Sequence, residues 1–179
     1  INPEVPSSVS FLQLETDTYK IIFPPEATSQ AFEIADLLFH YGPQIRVTND
    51  TQQVSIVIHP YMASSNAFVT LLPRRSIFFT QPYMSTEASD FGVSLTWNLG
   101  LSVHEYQHFE QQDRSLEFGA KLPYVLFGET GWGVLMGISQ PSWFMEGEAV
   151  QIETRYTPSG RGDTFGFLAP SLAVYEEYG

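Results

Sequence analysis

Short runs in which apolar residues alternate or cluster, Val9 to Leu14 and Tyr19 to Phe23, open the chain after a polar, proline-bearing lead. This is the pattern of strands with one buried face. The turn-forming stretch Glu15-Thr16-Asp17-Thr18 between them predicts a hairpin. Pro24-Pro25 stops the second strand. The pattern then changes period: Ala31, Ile34, Ala35, Leu38 and Phe39 recur at helical spacing, predicting an amphipathic helix from Ala27 to Tyr41 that Gly42-Pro43 terminates. Ile45 to Val47 reads as a short strand. Val54 to Ile58, rich in β-branched residues and closed by Pro60, reads as another. Phe68 to Leu72 and Ser76 to Thr80 follow as a pair joined through Pro73-Arg74-Arg75. The first half is thus a small mixed β-sheet with a covering helix.

Beyond Pro82 the strand signals give way to longer helical patterns. Leu95, Leu99, Val103 and Tyr106 form one apolar stripe, predicting a helix from about Leu95 to Gln112 with His104 and His108 beside the stripe. Leu116 to Met136 is a second helical region containing several glycines. Gln140-Pro141-Ser142 announces a last helix from Trp143 to Tyr156. Trp97, Trp132 and Trp143 are expected to anchor packing. The fold class is α+β in a single domain over residues 1–179, sheet-rich over about 9–82 and helical over about 90–157, with the His104 helix between the two parts.

A chain of 179 residues, 43% hydrophobic, can build one substantial core but hardly two. No apolar run approaches the about 20 residues that a membrane-spanning helix needs. Eight basic against 20 acidic residues, a net charge of -12, argue against nucleic acid, whose phosphates require clustered Lys and Arg. Without cysteine there is no disulfide framework and no thiolate nucleophile, and any metal must be held by His, Asp or Glu. The chain starts at Ile1 with a polar segment, as a processed end would, which leads to the expectation of an extracytoplasmic protein, periplasmic or secreted. The abrupt end at Glu176-Glu177-Tyr178-Gly179 leaves open that the natural chain continues.

Only four histidines are present, and two of them sit in the run His104-Glu105-Tyr106-Gln107-His108. Residues four apart on a helix are separated by about 400° of rotation, so both imidazoles leave nearly the same face one turn apart, as a zinc clamp requires. Glu105 can stand beside the metal without binding it, where a general base for a metal-held water belongs. A catalytic zinc site takes a third protein ligand. The candidates are His40, His59, Glu129, Glu146, Glu148 and Glu153. Glu146 is favoured because its helix reads Trp143-Phe144-Met145-Glu146-Gly147-Glu148-Ala149, a bulky pair, a carboxylate, then small residues that let another helix approach. His40 and His59 read as structural or surface histidines. Glu148, rotated about 200° from Glu146, reads as surface. Glu153, two turns beyond Glu146 on nearly the same face, is either an orienting partner for a ligating imidazole or a solvated carboxylate.

The pairing of His104-Glu105-x-x-His108 with Trp143-Phe144-Met145-Glu146-Gly147-x-Ala149 resembles the gluzincin metallopeptidases, in which a helix bearing a glutamate ligand follows the H-E-x-x-H helix. The resemblance covers roughly the second half in motifs. It implies a zincin-like fold, Zn2+ held by His104, His108 and Glu146, Glu105 as general base, and hydrolysis of peptide bonds in a peptide or protein substrate. It also implies that Asn66 to Leu72 is either an edge strand that receives the substrate or an ordinary internal strand. Tyr156, Arg155 and Arg161 follow the Glu146 helix closely enough to be considered as oxyanion donors. The long interval Phe109 to Met145 departs from the aminopeptidase-like gluzincins, leaves room for an additional helix, and is similar to peptidase-like domains of exported bacterial proteins. The alternative is a zincin-like module that binds zinc and serves assembly of a larger exported protein without efficient turnover.

Overall fold

The computed structural model describes residues 9–48, 53–62, 65–80, 97–158 and 160–163. Five strands form one mixed sheet in the order β1-β2-β3-β5-β4: β1 Leu12–Glu15, β2 Tyr19–Phe23, β3 Val54–Ile58, β4 Ser65–Leu71 and β5 Arg74–Thr80. The predicted hairpin is β1 antiparallel to β2, with Leu12 opposite Phe23 and Glu15 opposite Lys20. β2, β3 and β5 run parallel, and β4 returns antiparallel along β5 with Ser65 opposite Thr80. Parallel neighbours need a crossover connection. Helix α1, Thr28–Ile45, supplies it between β2 and β3.

Alternation places Tyr19, Ile21, Phe23, Val54, Ile56, Ile58 and Phe78 on one buried face, against Ala31, Ile34, Ala35 and Leu38 of α1 and Val103, Tyr106 and Phe109 of helix α2, Trp97–Ser115. Each fully buried Ile or Phe in this layer contributes roughly 1.5–3 kcal/mol of transfer free energy. Gly42 lets the two helices approach, because a Cβ there would lie 3.3 Å from the Tyr106 ring.

The helix does not stop at Gly42-Pro43, and Ile45 to Val47 is not a strand. Pro43 lies in the last turn, where its missing N–H removes a single bond. The Arg46 N–H still reaches the Gly42 carbonyl at 3.0 Å, and Ile45, 4% exposed, anchors the end in the core. Arg74, expected in the turn, is instead the first residue of β5 and is buried. The expected start of the motif helix at Leu95 lies outside the described residues, and the helix runs three residues past Gln112.

The glycine-bearing region is broken rather than continuous. A π-helical turn, Leu116–Ala120, leads into helix α3, Lys121–Ser139, with left-handed backbone at Gly119 (φ 135°) and Gly128 (φ 62°), conformations that glycine adopts without steric cost. Helix α3 is the additional helix of the Phe109 to Met145 interval. It buries Trp132 and Met136 but leaves Leu122, Val125, Leu126, Phe127, Val134 and Ile138 exposed. Helix α4, Ser142–Tyr156, packs along α2. Trp132 is a buried anchor, its Nε1–H donating to Ser115 Oγ at 2.7 Å, and Trp97 packs at the edge of the main core. Trp143 is not an anchor: it is 74% exposed in the first turn of α4, which faces solvent as far as Phe144. No helix among the described residues is long and apolar enough to cross a membrane. The architecture is α+β, one sheet layer and one helical layer, with α2 between α1, α4 and the β4–β5 edge of the sheet.

Candidate metal centre

Helix α2 is enclosed on nearly every side, so its polar side chains cannot be left to water. Buried polar groups require partners, and α2 buries Ser102, His104, Glu105, Gln107, Glu110, Gln111, Gln112 and Asp113. Two of these acids hold the helix in place. Glu110 accepts from the Thr48 N–H and hydroxyl, both at 3.1 Å, tying α2 to the segment that follows α1. Asp113 meets Arg74 Nη2 at 2.7 Å, and the same guanidinium reaches Gln112 and the Phe109 carbonyl while lying over the Phe109 ring.

One turn before that pair, the helix presents His104 and His108 with their Nε2 atoms 3.2 Å apart. Helix α4 carries Glu146 to both: its Oε2 is 3.3 Å from His104 Nε2 and its Oε1 3.4 Å from His108 Nε2. These three are the group among the described residues whose donor atoms lie close enough to hold a metal ion. A tetrahedral zinc with bonds of about 2.0–2.1 Å to nitrogen and oxygen sets its ligand atoms about 3.3 Å apart, which matches the Nε2–Nε2 separation and the distance from each Nε2 to its nearer Glu146 oxygen. The donor set, two imidazoles and a carboxylate, suits a transition metal rather than magnesium or calcium, which prefer oxygen.

Both imidazoles are turned by partners at their other nitrogen. His108 Nδ1 lies 2.9 Å from Gln111 Oε1, and His104 Nδ1 lies 3.2 Å from Glu153 Oε2. Arg161 Nη2 also lies against His104 Nδ1. An ion held by the two Nε2 atoms would require each Nδ1 to carry the ring proton, and Gln111 and Glu153 offer the acceptors for it. Glu153 is therefore no solvated carboxylate: it is 1% exposed and also accepts from the Arg161 backbone N–H at 3.1 Å and Nε–H at 2.9 Å. Burial pushes its pKa up, but the bonds from His104 and Arg161 outweigh burial and hold it below the usual carboxylate range. Burial likewise lowers His104, and the bonds to Glu146 and Glu153 reverse this and raise it, while burial leaves His108 lowered. The bond from His104 lowers Glu146.

Glu105 lies in the wall of the same cleft, 4% exposed, with Ser76 Oγ of β5 at 3.4 Å from its Oε2. Burial pushes its carboxyl up to about 7, with the neighbouring His104 opposing. The cleft, about 550 Å³, runs between α2, α3, α4 and β4, and β4 is an edge strand of the sheet.

The remaining sequence candidates fall elsewhere. Glu129 accepts from the Arg74 N–H at 3.4 Å, His59 is buried against Tyr61 and Phe79, and His40 is exposed beside Tyr41. Glu148 is not a surface residue, as its side chain is 22% exposed and binds Gln111 Nε2 at 2.9 Å and Arg114 at 2.8 Å, clamping α4 to α2. Tyr156 donates its hydroxyl to the Gln44 carbonyl at the end of α1, and Arg155 lies over the Tyr156 ring. Arg161 lines the cleft, its Nη2 2.9 Å from Glu153 Oε2 and against the His104 ring, nearer to Nδ1 than to Nε2. Sequence reasoning missed Gln111 and Ser76. Gln111 had a signal, three residues after His108 and so on the same helix face. Ser76 had none, because only the sheet brings it beneath α2. Comparison with known proteins gives no match to a family model, a curated protein or a solved structure.

Proposed function

We propose that the protein is a zinc-dependent peptidase. The observation that carries this reading is the cluster of His104 Nε2 and His108 Nε2, 3.2 Å apart, with one Glu146 carboxylate oxygen 3.3 Å from the first and the other oxygen 3.4 Å from the second, next to the Glu105 carboxylate, which stands outside the cluster. Zinc held there would supply Lewis acidity, bringing a coordinated water toward ionisation at neutral pH.

The chain's own groups account for the rest. Among the described residues β4 is the edge of the sheet, and its residues Asn66 to Val69 border the cleft beside Glu105, where an extended peptide would pair with it. Backbone pairing of this kind fixes the direction and height of a carbonyl without reading side chains. Glu105, with a pKa close to neutral, is suited to take a proton from the attacking water and hand it to the departing amide nitrogen. The Ser76 hydroxyl lies 3.2 Å from the Phe68 carbonyl and 3.4 Å from Glu105 Oε2, so its one proton is shared between the edge strand and the carboxylate. Arg161, held on Glu153 and against His104, brings a positive charge to the lining of the cleft, where it would favour the negative charge that develops on the carbonyl oxygen.

The test pairs metal with turnover. Purified protein reconstituted at pH 7.5 is expected to hold about one equivalent of zinc and to cleave members of a mixed peptide library, while Glu105→Gln keeps the zinc and loses activity by about a hundredfold or more. Less than half an equivalent would remove the metal site. Equal, residual cleavage by wild type and Glu105→Gln would leave a zinc-binding module without turnover.

A further inference from the structure

We infer that the α3 end of the cleft selects peptides carrying an uncharged aliphatic or aromatic side chain beside the cleaved bond. This rests on the peptidase reading and adds a substrate class to it. The lining of the cleft differs by element. Its titratable residues, His104, Glu105, His108, Glu146 and Arg161, come from α2, α4 and the turn at 161–163. The residues that α3 contributes, Gly133, Met136 and Gly137, carry no charge, nor do Leu71 of β4 and Met145 of α4 in the same lining.

The two glutamines in the lining are already engaged. Gln111 sets its carbonyl against His108 and donates its amide to the Met145 carbonyl and Glu148, and the Gln112 side-chain carbonyl accepts from Arg74. A Lys, Glu or Asp side chain placed here would be desolvated without a partner, which costs far more than burying an apolar group gains. Flexible Met136 and Met145 adapt to branched or aromatic shapes.

The room itself depends on glycine. Among the described residues a Cβ on Gly137 would meet nothing within 4 Å, and one on Gly133 would touch Leu71 at 3.8 Å. Both lie within α3, where glycine is a poor helix former. A larger residue at 137 can therefore be accommodated by the backbone and would project into open space.

The experiment uses capped peptides Ac-Ala-Ala-Ala-Xaa-Ala-NH2 with Xaa as Leu, Phe, Ala, Glu or Lys, the zinc-loaded full chain, Gly137→Leu and, to enlarge rather than fill the space, Met136→Ala. Wild type is expected to show kcat/KM at least about tenfold higher for Leu and Phe than for Ala, the scale of discrimination that hydrophobic pockets achieve, with Glu and Lys lower still. Gly137→Leu should abolish the preference for Leu and Phe over Ala while retaining zinc and cleavage of the Ala peptide. Met136→Ala should shift preference from Leu toward Phe. Equal cleavage of Glu, Lys and Leu peptides by wild type, or a uniform change across the series in Gly137→Leu, overturns the pocket and leaves the peptidase reading standing. If wild type cleaves none of them, the peptidase reading fails for this series, and calorimetric affinities for the same peptides on zinc-loaded Glu105→Gln decide the pocket. An apolar preference that the added Gly137→Leu removes upholds it, and a flat series overturns it.

Discussion

Glu153 illustrates how a single residue would govern the proposed metal centre without touching the ion. Its carboxylate is shut away from water and accepts from both His104 and Arg161, so it orients a ligand from one side and the guanidinium that enters the cleft from the other. Replacing it by Gln preserves shape but removes the charge that both donors face. Glu153→Gln is expected to weaken zinc binding about 10- to 100-fold, the usual consequence of losing such a partner, with little change in helical content. A chelator competition titration measures this, and an unchanged dissociation constant would show that the His104 ring is held by packing alone. Gln111→Ala frees His108 in the same way but also releases α4 at Met145 and Glu148, so its effect combines affinity with helix docking. The two orienting residues differ in how visible they were. Glu153 could be placed on the right face by helical geometry from Glu146, whereas its burial could not be foreseen, because that depends on residues 160–163 folding back over α4.

At the level of elements, that fold-back is set by glycine. A Cβ on Gly160 would fall 2.2 Å from the Thr154 Cα, so Gly160→Ala must push the segment off α4 and carry Arg161 away from Glu153. Under the peptidase reading kcat/KM should drop at least tenfold while the thermal melt of the zinc-free protein moves little. Unchanged kinetics would exclude Arg161 from the reaction. The Arg74–Asp113 pair plays the corresponding role between β5 and α2. Arg74→Met should cost about 1–3 kcal/mol in a denaturant melt at pH 7, since it leaves buried Asp113 without its donor; no measurable loss would mean that Asp113 finds water or another donor. The elements themselves were largely legible: β2, β3, the β4–β5 pair, α2 and α4 follow from alternation, β-branching and helical spacing within a few residues. What the pattern misread were places where tertiary burial outweighs local signals. Ile45 drew α1 through Pro43, Arg74 left a predicted turn for a buried ion pair, and Trp143 stayed in solvent despite its size. The triangle of His104, His108 and Glu146 was legible because two helices can present ligands by spacing alone. Ser76 and the cleft wall of α3 were not, because they depend on how separate elements stack.

For the whole molecule, burial of acids in α2 makes stability depend on pH in an unusual direction. Burial pushes the Asp113 carboxyl up to about 6, with Arg74 pulling the other way. Between about pH 4 and pH 6 the folded chain therefore keeps a proton that the unfolded chain, with an aspartate near 3.9, has released. The contribution is fully present below that range and lost as pH rises through 6. Asp113→Asn cannot titrate, so the stability of wild type minus that of the variant should fall by about 2–3 kcal/mol from pH 4 to pH 7. A difference that stays flat in urea melts across that range would contradict the shift. The open side of β4 has a consequence on another time axis. An edge strand exchanges the amide protons on its outer side with solvent quickly, and the inner set, paired to β5, slowly. A bound peptide would convert the fast set into slow exchangers without altering the rest of the sheet, so deuterium uptake over residues 65–71 can register occupancy of the cleft even when no bond is cut.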